Sequence, residues 1–290
     1  MPELTIGEAQ IDRTVEMVMP TSVRWLFPEL ENGRELVEQN RDWLAPHFIN
    51  ERGHLLQSIH SLVVRVDGLV VVIDTCVGND KRREGGSPEW HLRSGPFLTD
   101  LTATVDPATV DYVICTHLHV DHVGWNTRLV DGEWQPTFAN ARYLFVDREL
   151  AHWERLASGD AGTATLMDDS VRPVVAAGSV DQVESDHQIS PSLRLEPSHG
   201  HTPGHVCVRI SSGGEEAVVC GDVMHSPLQC AVPDARPVFD AEEAAARAAR
   251  HTFLERYADS GVVVLGAHFH TPSAGRISRA GAAYRFDGSG

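Results

Sequence analysis

The chain has 290 residues, of which 42% are hydrophobic and 22% are charged, and this composition excludes a disordered or fibrous protein. Its formal charge of −17 argues against a nucleic-acid partner, because phosphate would be repelled. No apolar run is long enough to cross a bilayer and no secretory signal is visible, so we expect a cytoplasmic protein without a membrane partner. The five cysteines form no C-x-x-C pair, and we expect them to be reduced and buried.

The first part of the chain predicts an accessory segment followed by a β-hairpin. Residues 1–50 are irregular in pattern apart from a short helical stretch at 35–43, and we interpret them as an accessory segment that forms a lid or a dimer contact. Asp67 and Gly68 then separate the runs HSLVVRV and LVVVIDT, which is typical of a hairpin. Residues 79–95 carry charge, Gly and Pro without periodicity, and predict an exposed loop.

From residue 96 onward, strands and helices alternate. A short helix, the strands DYVICT and ARYLFV, and a helix over 147–156 are predicted first. A second β-rich section follows with LRLEP, HVCVRI and EAVVCG. Asp240 and Glu243 form the predicted cap of an alanine-rich helix, and VVVLG predicts another buried strand.

This order predicts an α/β (α+β) fold in which two sheets pack on each other with helices outside. The histidine clusters described next come from both halves of the chain. We therefore predict a single domain over residues 51–290, with its two halves joined around one site.

The densest group of metal-binding residue types lies in THLHVDHVGW, directly after the apolar run YVIC. His117 and His119 leave the strand at alternate positions and can point to one side, whereas Asp121 and His122 on the following turn can reach a second point. Imidazole and carboxylate without thiolate suit Zn²⁺, Mn²⁺ or Fe²⁺ in a site with open coordination positions. The motif therefore predicts a catalytic site for two divalent ions.

Two more clusters follow strands in the second half of the chain. HGHTPGH contains His199, His201 and His205, and CGDVMH contains Asp222 and His225. We predict that His205 braces its loop through a hydrogen bond. His225 has two interpretations, either a pocket residue or proton donor, or a partly buried packing residue.

The succession H-x-H-x-D-H, H-T-P-G-H, G-D and a late histidine resembles the metallo-β-lactamase superfamily in its dinuclear hydrolase form. The resemblance covers roughly residues 58–278 and implies a four-layer αββα sandwich. It also implies that one ion is held by His117, His119 and His201. His199 stands where related sequences often carry proline, so a second imidazole lies next to His201 and is an alternative ligand.

The resemblance to this superfamily also implies a set of ligands for a second ion. The matching residues are Asp121, His122 and a late histidine, with Asp222 bridging both ions. His268 and His270 are the candidates for the late ligand. The segment AHFHTPSAGRI resembles a late G-x-H-F-x-x-P segment and favours His268.

Four shorter segments, DTCVGNDKRR, HVGWN, GDVMHSPLQ and HFHTPSAGRI, resemble a branch that includes methyl parathion hydrolase and related lactonases and arylesterases. The resemblance implies a homodimer. It also supports Asp74 as a partner of a ligand histidine, the alternative being a carboxylate that caps the next turn. Trp125 is predicted to join an aromatic wall of the pocket with Trp43, Trp90 and Phe97, although core packing is the common fate of a tryptophan.

The residues together predict a hydrolase with Asp121 and Asp222 as its catalytic carboxylates. Two ions that share Asp222 would activate a bridging hydroxide for attack on a carbonyl or phosphoryl group. The expected substrate is a small ester-like molecule, namely a lactone, an arylester or a phosphotriester. The alternatives are hydrolysis of a β-lactam or thioester at the same site, or oxidative chemistry by a mononuclear iron dioxygenase.

Overall fold

The aliphatic and β-branched runs of the sequence fold into two β-sheets in the computed structural model, which describes residues 3–288. The first sheet has seven strands in the order β1-β2-β3-β4-β5-β8-β9. These strands are β1 (Leu4–Ile6), β2 (Ala9–Thr21), β3 (Leu55–Val66), β4 (Leu69–Ile73), β5 (Tyr112–Ile114), β8 (Arg142–Val146) and β9 (Val180–Val183). A separate hairpin consists of β6 (Thr127–Val130) and β7 (Glu133–Pro136).

The second sheet has six strands in sequential order. They are β10 (Leu193–Pro197), β11 (Val206–Ser212), β12 (Glu215–Val219), β13 (Val263–Leu265), β14 (Ala274–Ala280) and β15 (Ala283–Asp287). The helices are α1 (Val23–Leu26), α2 (Gly33–Gln39), α3 (Arg41–Leu44), α4 (Phe97–Thr104), α5 (Asp147–Ala157), α6 (Ala161–Leu166), α7 (Arg172–Ala176), α8 (Leu228–Ala231) and α9 (Glu243–Tyr257). None of the helices within residues 3–288 combines the length and the hydropathy needed to cross a bilayer.

Three hydrophobic clusters separate four layers. The central cluster lies between the sheets, where Ile114 of β5 and Val208 of β11 belong to the same group of buried side chains. The other face of the first sheet buries Val113 with Phe97 of α4, and the outer face of the second sheet buries Val264 with Phe253 of α9. The arrangement is the predicted four-layer αββα sandwich.

The topology brings four strand ends to one edge of the molecule. β4 runs parallel to β5, and β12 runs parallel to β13, so each pair ends on the same side of its sheet. The carboxyl ends of these strands open into the segments that begin at Asp74, Cys115, Cys220 and Gly266. Most residues of the predicted site therefore follow parallel strands, whereas His199 and His201 lie in the connection between the antiparallel strands β10 and β11.

Several predicted elements are present. The Asp67-Gly68 turn joins β3 to β4 with both residues at positive φ, 55° and 75°, as a two-residue hairpin requires. The segment 79–95 contains no helix or strand, as predicted, but it is not exposed throughout, because Lys81 and Arg83 are buried. All five cysteines are buried and unpaired. Two expectations are wrong, however. Residues 1–50 were expected to be irregular apart from one helical stretch, but residues 9–21 form the long strand β2. Asp240 was expected to cap α9, but this helix starts after Glu242 and has no side-chain cap.

The first fifty residues contact both halves of the molecule. β2 pairs with β3 from Gln10 to Thr21, across one irregularity in the register. The helices α1 to α3 belong instead to the hydrophobic cluster on the outer face of the second sheet. The domain boundary at residue 50 stays a prediction.

Candidate metal centre

The first group of potential ligand atoms is formed by three imidazoles and one carboxylate. His119 Nδ1 lies 2.9 Å from His117 Nε2 and 2.8 Å from His201 Nε2. Oδ2 of Asp222 lies 3.6 Å from His117 Nε2 and 3.3 Å from His201 Nε2. These four residues come from three loops, and their ligand atoms lie within 4.8 Å of one another.

The second group meets the first at Asp222. Oδ1 of this carboxylate lies 3.4 Å from His122 Nε2 and 3.2 Å from His268 Nε2. Asp121 completes the group, with Oδ2 3.7 Å from His268 Nε2 and Oδ1 3.9 Å from His122 Nε2. Asp222 thus directs one oxygen toward each group.

Hydrogen bonds behind the rings determine which nitrogen of each histidine faces the centre. Nδ1 of His122 lies 2.8 Å from Asp74, and Nδ1 of His268 lies 3.1 Å from the carbonyl of Ser58. Because carboxylate and carbonyl oxygens only accept, both Nδ1 atoms donate, and in the neutral rings both Nε2 atoms offer a lone pair.

A hydroxyl fixes His117 in the same way. The Thr116 hydroxyl donates its single proton to Asp74 at 2.8 Å, so it can only accept from His117 Nδ1, 3.1 Å away. His117 Nε2 consequently faces the centre with a lone pair.

The orphaned polar atoms of the site fit a small cation. His122 Nε2 and Asp222 Oδ1 are inaccessible to water and have no hydrogen-bond partner among the described residues. Two ring nitrogens, His117 Nε2 and His201 Nε2, lie at hydrogen-bond distance from His119 Nδ1, and in neutral rings nitrogens that direct lone pairs at one another cannot form a hydrogen bond. A divalent ion satisfies such a set, and imidazole with carboxylate is a donor set suited to zinc, manganese or iron.

Burial and the neighbouring charges shift the pKa values of the ligands in both directions. Burial lowers the pKa of His117 well below its usual value, which keeps the ring neutral. Burial also lowers the pKa of His201, but hydrogen bonds to Asp222 and Asp240 outweigh it and raise the pKa to about 9. A metal ion bound by Nε2 of His201 would therefore displace a proton at neutral pH.

Glu149 of α5 joins two of the loops that carry the first group. Its Oε1 accepts a hydrogen bond from Leu118 N at 3.0 Å, and its Oε2 accepts one from Gly204 N at 2.8 Å. A side chain at Gly204 would place its Cβ 2.4 Å from the Cβ of Glu149, so only glycine allows this approach. Glu149 could not be identified from the sequence, because nothing in its local pattern distinguishes it from another helical acid.

Asp240 is the second residue that the sequence analysis did not place in the site. Its Oδ1 lies 2.9 Å from His201 Nδ1, where the carboxylate accepts the ring proton. In the sequence Asp240 is an acid shortly before a helical pattern, and it was interpreted as a cap.

The structure distinguishes between the alternative candidates His268 and His270, and between His201 and His199. His268 lies in the centre, whereas Nδ1 of His270 lies 2.8 Å from the carbonyl of His47 at the surface. His201 faces His119, and His199 belongs to neither group of potential ligands within residues 3–288. His205 accepts a hydrogen bond from Asp222 N at 2.8 Å, which is the bracing role expected for it.

His225 and Trp125 have different locations. His225 is buried, with Nε2 3.2 Å from Asp222 Oδ2, and its ring stacks on Phe239 and His268. Trp125, expected in the pocket wall, lies instead in the hydrophobic core. Its ring stacks on Phe97, and its Nε1 donates to Glu16 of β2 at 2.8 Å. The strand that holds it was not predicted, which is why its location was wrong.

A cleft of about 100 Å³ opens on the ligand groups. Its apolar wall consists of Met19, Trp25, Ile59, Trp90, Val120 and Phe239. Trp25 and Phe239 pack edge to face at 5.5 Å and remain 57% and 40% exposed. A larger cavity of about 660 Å³ lies elsewhere, between β1 and β14, and none of its lining residues belongs to the ligand groups.

The family model of the metallo-beta-lactamase superfamily matches residues 56–268, which is more than half of the chain. The chain belongs to this superfamily. Superfamily membership supports a metal-dependent hydrolase. Enzymes of the metallo-beta-lactamase superfamily bind divalent metal ions, and the His/Asp groups described above could hold them.

Solved structures agree with this fold. One described as the hydrolase AbOPH of the beta lactamase superfamily has a TM-score of 0.80 and 22% identity, covering 98% of this chain and 96% of that chain. A second, described as AidC, a dizinc quorum-quenching lactonase in complex with a product, has a TM-score of 0.75 and 19% identity, covering 98% and 95%. At these identities the likeness establishes the fold. A search of curated proteins finds no match.

Proposed function

We propose that this metallo-beta-lactamase superfamily member is a dinuclear hydrolase of a small ester-like substrate, namely a lactone, an arylester or a phosphotriester. The observation that carries the proposal is the convergence of two ligand groups on Asp222 beside an apolar cleft. The proposed ligands are His117, His119 and His201 for one ion, Asp121, His122 and His268 for the other, and Asp222 between them.

Each group of residues has a distinct task in this proposal. Two bound divalent ions, which we propose to be Zn²⁺, would supply a Lewis acid and a water of lowered pKa. Asp74 and Ser58 accept the Nδ1 protons of His122 and His268, which holds the opposite ring nitrogens in place. Asp222, the proposed catalytic carboxylate together with Asp121, keeps its negative charge because the surrounding histidines outweigh burial and hold its pKa well below the usual value.

The cleft supports an ester substrate with an apolar group. Trp25 and Phe239 expose their rings at its mouth, where an acyl chain or an aryl group can be buried. The formal charge of −17 favours a small molecule over a polyanion. The similarity to a solved dizinc lactonase adds support for lactones within this class. The five buried, unpaired cysteines are consistent with the reducing cytoplasm as the site of action.

The test is a substrate panel combined with metal analysis of the full chain. Dihydrocoumarin, N-hexanoyl homoserine lactone, phenyl acetate and a nitrophenyl phosphotriester represent the proposed class, and a chromogenic β-lactam and a thioester represent the alternatives. We expect two ions per chain and turnover of at least one ester or lactone, which is lost on chelation and restored by Zn²⁺. One iron per chain without hydrolysis would contradict the proposal and support the dioxygenase alternative.

A matched pair of variants makes the panel specific for the site. His201→Ala removes a proposed ligand, whereas His199→Ala removes a half-buried imidazole two residues away. We expect the first variant to lose one ion and nearly all turnover, and the second to retain both. Equal behaviour of the two variants would contradict the ligand assignment.

A further inference from the structure

A buried carboxylate and a buried guanidinium lie behind the first ligand group. Asp240 is 6% exposed, and Oδ1 accepts from the side of the His201 ring that faces away from His119. The other oxygen, Oδ2, has no hydrogen-bond partner among residues 3–288. It faces Arg250 of α9, whose Nη2 lies 3.8 Å away.

Arg250 connects this carboxylate to the loop that carries Asp222. The guanidinium is 1% exposed, and its Nη1 donates to the carbonyl of Val223 at 3.0 Å. Its Nε donates to the carbonyl of Pro233 at 2.7 Å. Val223 directly follows Asp222 in the chain. Arg250 therefore contacts both Asp240, which supports His201, and the loop that carries Asp222.

The energetics of burial make this arrangement rigid. A guanidinium this deep in the protein is tolerated only when it is paired with a negative charge and bonded to acceptors. Asp240 supplies the charge, and the two carbonyls supply acceptors at fixed positions. A displacement of Asp240 would leave the buried guanidinium without its counter-charge, and a displacement of the Asp222 loop would remove one of its acceptors.

We propose that Asp240 and Arg250 are positioning residues that set the first ligand group in the geometry that binds a metal ion. Asp240 holds the proton of His201 on Nδ1, so that Nε2 presents its lone pair beside His119. Arg250 holds Asp240 and the Asp222 loop in register with each other. This inference rests on the ligand assignment of the proposed function.

The second ligand group provides an internal comparison. His122 is supported by Asp74, and His268 is supported by the carbonyl of Ser58, without a contact to Asp240. A change at Asp240 should therefore weaken binding of one ion and affect the other much less.

Asp240→Asn is the direct test, because it removes the charge and preserves the size of the side chain. Zn²⁺ is titrated into the metal-free full chain against a competing chelator, and Co²⁺ absorption reports the ligand field of each ion. The amide oxygen can still accept from His201 Nδ1 but carries no charge, so we expect one of two binding steps to weaken by about tenfold, the lower end of the range for a changed partner behind a ligand. We expect the other step to change by less than about threefold.

Asp169→Asn is the matched control for removing a buried acid. Asp169 is 5% exposed and pairs with Arg83 at 2.7 Å, and its contacts do not include a proposed ligand. We expect this variant to lose stability and keep both zinc affinities. If Asp240→Asn also loses only stability, Asp240 has a merely structural role and the inference is wrong.

A double variant keeps the test valid if Asp240→Asn does not fold because Arg250 is left without a counter-charge. Asp240→Asn with Arg250→Met removes both charges, and the carboxylate behind His201 is still missing. We expect the same weakened binding step in the folded double variant, and unchanged zinc affinity there would overturn the inference.

His117→Ala separates this inference from the proposed function. If His117→Ala binds zinc like the wild type, the ligand assignment itself fails. If His117→Ala loses one ion but Asp240→Asn binds both normally, only the positioning role fails.

Discussion

The effect of Glu149→Gln follows directly from the acceptors that the carboxylate provides. Glu149 is 1% exposed, and Oε1 accepts from Leu118 N at 3.0 Å and from Trp153 Nε1 at 2.7 Å, while Oε2 accepts from Gly204 N at 2.8 Å. Leu118 lies within H-x-H, and Gly204 lies within H-T-P-G-H. The substitution therefore acts on both loops of the first ligand group.

The loss of stability depends on how many of these hydrogen bonds the amide side chain of the variant can keep. The amide oxygen can retain the two bonds of Oε1, but its NH₂ group then faces the N–H of Gly204. A hydrogen bond to a charged group contributes about 1.5–3 kcal/mol, and a buried donor without a partner costs about 1–3 kcal/mol. These two effects overlap, so we expect the free energy of unfolding to fall by about 2–4 kcal/mol. We also expect zinc affinity at the first group to fall by about tenfold.

Urea unfolding of the metal-free protein, followed by circular dichroism, measures the stability change, and chelator competition measures zinc affinity. Glu154→Gln on the same helix is the control, because its side chain is 43% exposed and pairs with Arg172 at the surface. We expect less than about 1 kcal/mol for that change. An unfolding curve of Glu149→Gln that overlays the wild-type curve would refute the role of the buried carboxylate.

Three further predictions concern the second ligand group, a buried lysine and the cleft. His268→Ala should bind one ion fewer by metal analysis, whereas His270→Ala should keep the wild-type content, and the reverse result would reassign the late ligand. Burial lowers the pKa of Lys81 from 10.5 to about 7, so between these values the unfolded chain binds more protons and wild-type stability rises with pH. The free energy of unfolding of the wild type, measured relative to that of Lys81→Met, should increase by about 1.4 kcal/mol per pH unit from pH 7.5 to 9.5. Stability profiles of the two proteins that run parallel with pH would contradict this. Trp25→Ala should raise KM for an aryl ester by about three- to tenfold and leave KM for a short aliphatic ester unchanged. An equal change of KM for both esters would exclude a contact between Trp25 and the aryl group.

The metal-ligand types and their spacing were evident in the sequence because they lie in short segments after apolar strands. His117, His119, Asp121 and His122 occupy six consecutive positions, and the hairpin at Asp67 follows from two adjacent residues. The layers also followed from the order of elements, and the family match agrees with them. Local pattern was sufficient for these features, since each depends on neighbours in the chain.

Residues that act across the chain could not be predicted in this way. β2 alternates weakly and was interpreted as irregular, yet it forms the longest strand pairing of the first sheet with β3 and holds Trp125 through Glu16. Trp125 therefore packs in the core, although its position after the metal motif favoured the cleft. The outcome depended on a strand more than one hundred residues away.

The sequence by itself determined the chemistry of the candidate centre, because residue type fixes which atoms can coordinate a metal ion. Only the tertiary structure decided which of two neighbouring histidines faces inward and that Glu149 and Asp240 support the first ligand group. Glu149 and Asp240 differ in no local way from other acids of this acidic chain. Their roles arise because packing brings them against Gly204 and His201, and contacts between distant residues are selected by the fold as a whole.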